Sequence, residues 1–266
     1  MEFYDAHNHF QDPRLTPNHA QILTDLQSVG LAKMVVNGTC EDDWPQVLEL
    51  ARQHDFIIPS FGYHPWFLAR HSNDWISSLN SHLDATPAAV GEIGLDRWMK
   101  NADRDLQEKL FVTQLRIAAE RNLPVSIHCL KAWGHLVDLL ETNPLPARGF
   151  LLHSYGGSAE MIPRFARLGA YFSISGYFAH ERKAGQLAGF KSVPADRLLI
   201  ETDAPDMWPP ESLNQFPYNS PQTDERANHP ANIRAVYQFV ASYLDQPLEE
   251  LVSQTAKNFQ SLFSFR

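Results

Sequence analysis

Eight short β-branched or apolar segments recur along the chain, at Glu2–Asp5, Lys33–Asn37, Phe56–Phe61, Ala88–Ile93, Pro124–Ile127, Gly149–Leu152, Ala170–Ser175 and Leu198–Glu201. Their starts lie 31, 23, 32, 36, 25, 21 and 28 residues apart, which leaves room for a helix between strands and is too long for hairpins. Eight βα units in a chain of 266 residues predict an α/β fold of the (β/α)8 TIM-barrel type, a single domain spanning 1–266. An open doubly wound sheet would carry a G-x-G-x-x-G or G-x-x-x-x-G-K-[ST] loop after an early strand, and the sequence contains neither.

The intervening stretches carry helix punctuation. Thr16-Pro17 reads as an N-cap followed by Pro at the first helical position, with Gly30 closing that helix. Asp103 caps a long amphipathic stretch with Leu106, Leu110, Phe111, Leu115 and Ala118 on one face, ended by Asn122. Pro163 moves the start of its helix to about Ile162. Met207–Asn228, rich in Pro, Asn and Ser, is expected to be a long active-site loop.

Composition narrows the function. With 44% hydrophobic residues the chain can bury a core, so a disordered or linker-like class is excluded. No apolar run reaches the roughly 20 residues of a membrane helix, and the first residues lack the basic and apolar regions of a leader, so a cytoplasmic, membrane-free protein is expected. Cys40 and Cys129 form no paired motif, which fits a reducing compartment. A formal charge of −9 argues against holding nucleic acid on a broad basic surface. Phosphate chemistry is still open to such a chain, because bound divalent cations supply a local positive field.

In a barrel of this type the C-terminal ends of the strands form the active-site rim. Here those ends read Asp5-Ala6-His7-Asn8-His9, Gly91-Glu92-Ile93-Gly94-Leu95-Asp96, Ser126-Ile127-His128, Leu151-Leu152-His153 and Glu201-Thr202-Asp203. His7 and His9, two apart on extended backbone, face the same side. With 12 His in the chain, about 0.5 H-x-H motifs arise by chance, so that pair alone says little. Four His, one Glu and one Asp at the same end of one barrel are a divalent-metal set. Six ligands exceed the needs of one tetrahedral ion, so two divalent ions are expected, Zn, Mn or Mg by ligand type. Glu92 is the natural bridge, with His7, His9 and Asp203 on one ion and His128 and His153 on the other.

These blocks, together with Gly62-Tyr63-His64-Pro65, Leu152-His153 and Glu201-Thr202-Asp203-Ala204-Pro205, resemble the TatD-type deoxyribonucleases, metal-dependent hydrolases of the amidohydrolase-like barrel superfamily. The resemblance runs from the first strand to about Asn232. It implies metal ligands at His7, His9, Glu92, His128, His153 and Asp203, DNA or another phosphodiester as substrate, and His64 as a phosphate or leaving-group contact. The chain departs from the family pattern at Asn228-His229-Pro230, where Asn-Glu-Pro is common, and at Arg97-Trp98 after the Gly-Leu-Asp block.

The expected reaction is attack of a metal-activated water on phosphorus, with Asp203 orienting that water or taking its proton. No G-x-S-x-G elbow argues for a serine nucleophile. Arg97, Lys131, Arg182 and Lys183 follow predicted strands and are candidate phosphate contacts. Trp66, Trp98, Trp133 and Trp208 follow the rims as well and are candidates to stack on bases or to pack onto helices. Glu201 is a candidate to orient a ligand His, whereas His19, His54, His71, His82 and His135 read as surface residues. No obligatory protein partner is evident. Two rival readings use the same barrel: hydrolysis of a small-molecule amide, lactone or phosphoester, favoured if Met207–Asn228 closes the pocket, and a metal-stabilised interaction module, which would not need six ligands at an open rim.

Overall fold

All eight expected segments are strands, and they hydrogen-bond side by side in chain order, every neighbouring pair parallel. The structure, a computed structural model, describes residues 1–100 and 102–265. The strands are β1 (Phe3–Asn8), β2 (Leu31–Asn37), β3 (Ile57–Phe61), β4 (Ala89–Asp96), β5 (Val125–Leu130), β6 (Phe150–Leu152), β7 (Ala170–Ser175) and β8 (Leu198–Glu201). The helices are α1 (His19–Val29), α2 (Trp44–Gln53), α3 (Trp75–Ala85), α4 (Arg104–Arg121), α5 (Trp133–Thr142), α6 (Ile162–Arg167), α7 (Ala184–Gly189), α8 (Ile233–Tyr243) and α9 (Leu248–Phe263). This is the (β/α)8 barrel, with two helices after the last strand. No helix among the described residues is long and apolar enough to cross a membrane.

The barrel closes between β8 and β1 by two different devices. At the rim the backbone itself bonds across, Asp203 N to His7 O at 2.9 Å and His9 N to Ala204 O at 2.7 Å. Buried Asp5 reinforces this, its carboxylate accepting from Thr202 N (3.0 Å) and Thr202 Oγ1 (2.5 Å). Lower down, helix side chains satisfy strand backbone. Tyr237 of α8 bonds Tyr4 N and Tyr4 O, and Asn258 of α9 donates to Leu198 O at 2.8 Å.

Helices cover the outside by burying one stripe each. α4 buries Leu110, Phe111, Leu115 and Ala118, and each large side chain so placed contributes roughly 1.5–3 kcal/mol. Asp103 caps α4, accepting from Leu106 N at 2.9 Å, and Asn122 ends it in the left-handed conformation, φ 49°. α6 starts at Ile162 as expected. Gly30 ends α1 with φ 84°, where a Cβ would also meet Met1 O at 2.8 Å.

Three expectations need correction. Thr16 does not cap α1: Thr16–Asn18 is a separate 3-10 turn, and the Thr16 hydroxyl donates to Pro13 O instead. Strands β1, β4 and β5 run three residues further than apolarity suggests, since Asn8, Asp96 and Leu130 still take ladder positions opposite Val36, Leu130 and Asp96. Polar rim side chains do not interrupt a backbone ladder. Third, Met207–Asn228 is not a plain loop, and Met207 is its part that lines the central cavity. It contains a 3-10 turn (Glu211–Leu213) and a two-stranded ribbon (β9, Tyr218–Asn219; β10, Arg226–Ala227), and Phe216 and Tyr218 pack it onto His229 beside α1 and α8.

Candidate metal centre

The barrel delivers its rim residues to one point, the carboxylate of Glu92. This side chain sits on β4, is essentially fully buried, and divides its two oxygens between two groups. Oε2 lies 3.2 Å from His7 Nε2 and 3.1 Å from His9 Nε2. Oε1 lies 2.8 Å from His153 Nε2, 3.1 Å from His128 Nδ1 and 3.3 Å from His64 Nε2. Asp203 completes the first group, Oδ1 being 3.6 Å from both His7 Nε2 and His9 Nε2. Three overlapping sets have ligand atoms all within 4.8 Å of one another: His7, His9 and Glu92; His64, Glu92 and His128; and His7, His153 and Asp203. All seven residues singled out in the sequence therefore meet at one site.

The far nitrogen of most imidazoles is held by an outer partner. His9 Nδ1 donates to Asn37 O at 2.8 Å, and His7 Nδ1 is 2.8 Å from Ser126 Oγ. His128 Nε2 donates to Asp96 Oδ2 at 3.1 Å. Because a carbonyl and a carboxylate can only accept, neutral His9 and His128 present bare nitrogens to the centre. Each bare nitrogen stands against an oxygen of Glu92, an acceptor facing an acceptor, and a proton or a cation between them must resolve the repulsion. The spacing suits a cation, since two ligands about 2.1 Å from one ion at 90–109° stand about 3.0–3.4 Å apart. His7 Nε2 adds a fully buried nitrogen with no hydrogen-bond partner. The donor set thus fits divalent metal.

His64 differs. Its Nδ1 accepts from the backbone N–H of Trp66 at 3.1 Å, so the neutral ring carries its proton on Nε2 and points a donor into the site. Such a nitrogen suits an oxygen of substrate better than an ion.

Electrostatics follow the same division. Burial, helped by neighbouring His153, pushes His7 down to about 4, and burial pushes His64 down to about 4. For His9, burial is outweighed by Glu92 and Asp203, which raise it to about 10. His153 is likewise raised well above the usual range, chiefly by Glu92 acting against burial. Glu92 is held well below the carboxylate range despite burial, chiefly by His153, His64 and His7, whereas burial raises Asp203. Without cations the shifts of His9, His128, His153 and Asp203 all favour their protonated forms, so divalent ions would compete with protons for this site.

With this geometry fixed, comparison with known proteins is decisive. The family profile described as TatD related DNase matches residues 4–264. The chain belongs to the TatD-related DNase family. It is 29% identical over 265 residues to the uncharacterized metal-dependent hydrolase YjjV of Escherichia coli K12, covering 98% of each chain. It is 33% identical over 242 residues to the 3'-5' ssDNA/RNA exonuclease TatD of Shigella flexneri serotype 5b, covering 88% of each. The crystal structure of YjjV, a TatD homologue from Escherichia coli K12, superposes with a TM-score of 0.88 at 28% identity, covering 99% of this chain and 98% of that one.

Around the centre, this TatD-family barrel opens into a cavity of about 650 Å³ bordered by His9, His64, Glu92, His128, His153 and Asp203. Arg97, Lys131, Arg182 and Lys183 do not border it. Lys131 lies over the Trp98 ring, and Arg182 and Lys183 lie over Tyr177. Arg14 and Arg70 are the bordering cations that sequence reasoning passed over, and Arg14 is already engaged by Asp12 and Asp206. Trp133 packs on Tyr155, ring centroids 4.7 Å apart, so its role is structural, whereas Trp66, Trp98 and Trp208 stay exposed. Glu201 is held by Ser154 and Ser173, 3.7 Å from His153 Nδ1, near that ring without bonding it. His19, His54, His71, His82 and His135 are half-buried: His19 stacks on Phe10, His82 lies edge-on to Trp44, and His135 Nε2 pairs with Glu108.

Asp96 and Asp5 were not picked out from sequence. Asp96 shares the strand face of Glu92, four residues on, and Asp5 that of His7, two residues back, so period-two counting from the ligands would have found both.

Proposed function

We propose that this chain is a divalent-metal-dependent hydrolase of phosphodiester bonds, acting on DNA or a related nucleic-acid end. The observation that carries the reading is the shared carboxylate of Glu92, each oxygen facing its own imidazole group. In this reading His7, His9 and Asp203 would hold one ion and His128 and His153 the other, with the carboxylate of Glu92 available to both. Two such ions supply charge neutralisation on the phosphoryl oxygens and make water acidic enough to attack phosphorus near neutral pH. The named activity of the Shigella relative supports a nucleic-acid substrate.

The chain's own residues supply the rest. Asp203, raised by burial, is suited to orient the attacking water and accept its proton. Its backbone sits at φ 55°, which turns the chain back at the rim just after β8, and Asp tolerates that region better than most residues. His64 offers its Nε2–H to a phosphoryl or leaving-group oxygen. Asn37, Ser126 and Asp96 hold the imidazoles in orientation.

The test is turnover of single-stranded DNA beside a panel of small esters, lactones and amides, with Mg, Mn and Zn. Cleavage of DNA is expected. Intact DNA under all three metals, with hydrolysis of a small substrate, would replace this reading with the small-molecule one.

A further inference from the structure

Trp66 combines two properties that seldom occur together. More than half of it is exposed, at 54%, and it borders the central cavity. Yet its indole N–H is fixed at 2.6 Å on Asp96 Oδ2, a carboxylate with no exposure at all. The indole has no other polar atom, so the part left facing water is hydrocarbon, held in one orientation. The same Oδ2 takes the His128 Nε2–H, while Oδ1 accepts from Trp98 N at 2.7 Å and Met99 N at 3.3 Å. Burial would raise this carboxyl, but the bonds from His128 and Trp66 keep it at about 2. One ionised side chain thus fixes a proposed metal ligand, the rim loop after β4 and an aromatic wall. Trp66 also stands edge-on to His64, centroids 5.2 Å apart, and its backbone N–H sets which His64 nitrogen carries the proton.

From this arrangement we infer that Trp66 is a specificity-determining wall that stacks on the base adjoining the cleaved phosphate, and that Asp96 is the positioning residue locking it to the metal centre. The inference rests on the phosphodiester reading above and deepens it by naming what is recognised next to phosphorus. A ring already immobilised loses little freedom on contact, so its stacking energy is retained in binding. Stacking of this kind accepts any base, because every base has a flat face. Asp is needed rather than Asn, since four donors converge on two oxygens and an amide offers one oxygen with two donors of its own.

The test compares binding of thymidine 5'-monophosphate and 2-deoxyribose 5-phosphate by calorimetry, in metal-free and Mn-loaded protein. The wild-type chain is expected to prefer the nucleotide by roughly 5- to 150-fold, the range of one base on one aromatic ring. Trp66→Ala should bring the two ligands within about 3-fold, and Trp66→Phe, which keeps a flat ring but loses the N–H held by Asp96, should fall between Trp66→Ala and the wild type, close to Asp96→Asn. Asp96→Asn should reduce the ratio in the wild-type background and leave it unchanged when Trp66 is already Ala, because the two act as one unit. A wild-type preference below 3-fold, or an undiminished preference in Trp66→Ala, overturns the wall. An equal effect of Asp96→Asn in both backgrounds overturns the positioning role. If base preference follows this pattern while single-stranded DNA stays intact with every metal, the proposed reaction fails and the stacking wall stands.

Discussion

Replacing Glu92 by Gln keeps the shape of the side chain and removes the one charge that both imidazole groups share. At an effective dielectric of about 20, a unit charge about 4 Å from a unit positive charge contributes about 4 kcal/mol, which corresponds to about a 10³-fold loss of affinity. That loss can be read without any assumption about substrate. If metal is supplied at 1,000 times the wild-type Kd, each of the two ions stabilises the native state by about 4.1 kcal/mol, about 8 kcal/mol together, and at the weakened affinity the same concentration gives only about 0.4 kcal/mol per ion, about 0.8 kcal/mol together. For a chain of this size each kcal/mol moves Tm by roughly 2–4 °C. Mn or Zn should therefore raise the melting temperature of the wild-type protein by about 16–32 °C and that of Glu92→Gln by about 2–3 °C. Circular dichroism should show the same helix and strand content in both. A variant that keeps the wild-type metal shift would refute the hub assignment, because a residue that bridges nothing can lose its charge without consequence for either ion.

Further outcomes follow from the same geometry. His128→Ala or His153→Ala should remove one of two binding events in a calorimetric metal titration, and equal weakening of both events would contradict the split at Glu92. His64→Ala should slow cleavage of a nucleic-acid end by 10²- to 10⁴-fold, the usual range for a positioned proton donor, while metal affinity stays within about 3-fold; matched losses of turnover and metal would make His64 a ligand instead. His229 is pushed down to about 4 by burial, with Asp25 opposing. The unfolded chain therefore binds the extra proton between pH 4 and about 6.5, so stability rises with pH across that window and the penalty is complete below it. Urea titrations of His229→Gln should show a slope flatter than wild type by up to about 3 kcal/mol over that range, and an identical slope would mean that His229 is not buried as a neutral ring.

The barrel was legible because two signals coincide in it. Strand spacing fixed the number of βα units, and the strand ends carried chemistry at a common level. β7 and β8 matched residue for residue, their ladders ending at the polar residues Ser175 and Glu201 already counted in the segments, whereas β1, β4 and β5 continue into the rim residues that a hydrophobic pattern leaves out. The ligands were legible for a related reason, since a period of two and a common rim determine which side chains can meet. What sequence did not disclose is the set of long-range bonds behind them. Asp96 reaches Trp66 and His128 across 30 and 32 residues, and Ser126 reaches His7 across 119, and no local pattern encodes such pairings. Exposed cations were misjudged for the same reason: Lys131 follows a strand into the rim region, yet Trp98 draws it away from the cavity.

Anomalous diffraction from crystals of the protein grown with Mn tests the two-ion centre most directly. Two peaks are predicted on either side of Glu92, about 3.5–4 Å apart, one against His7, His9 and Asp203 and the other against His128 and His153. A single peak, or two peaks that do not share Glu92, would contradict the account.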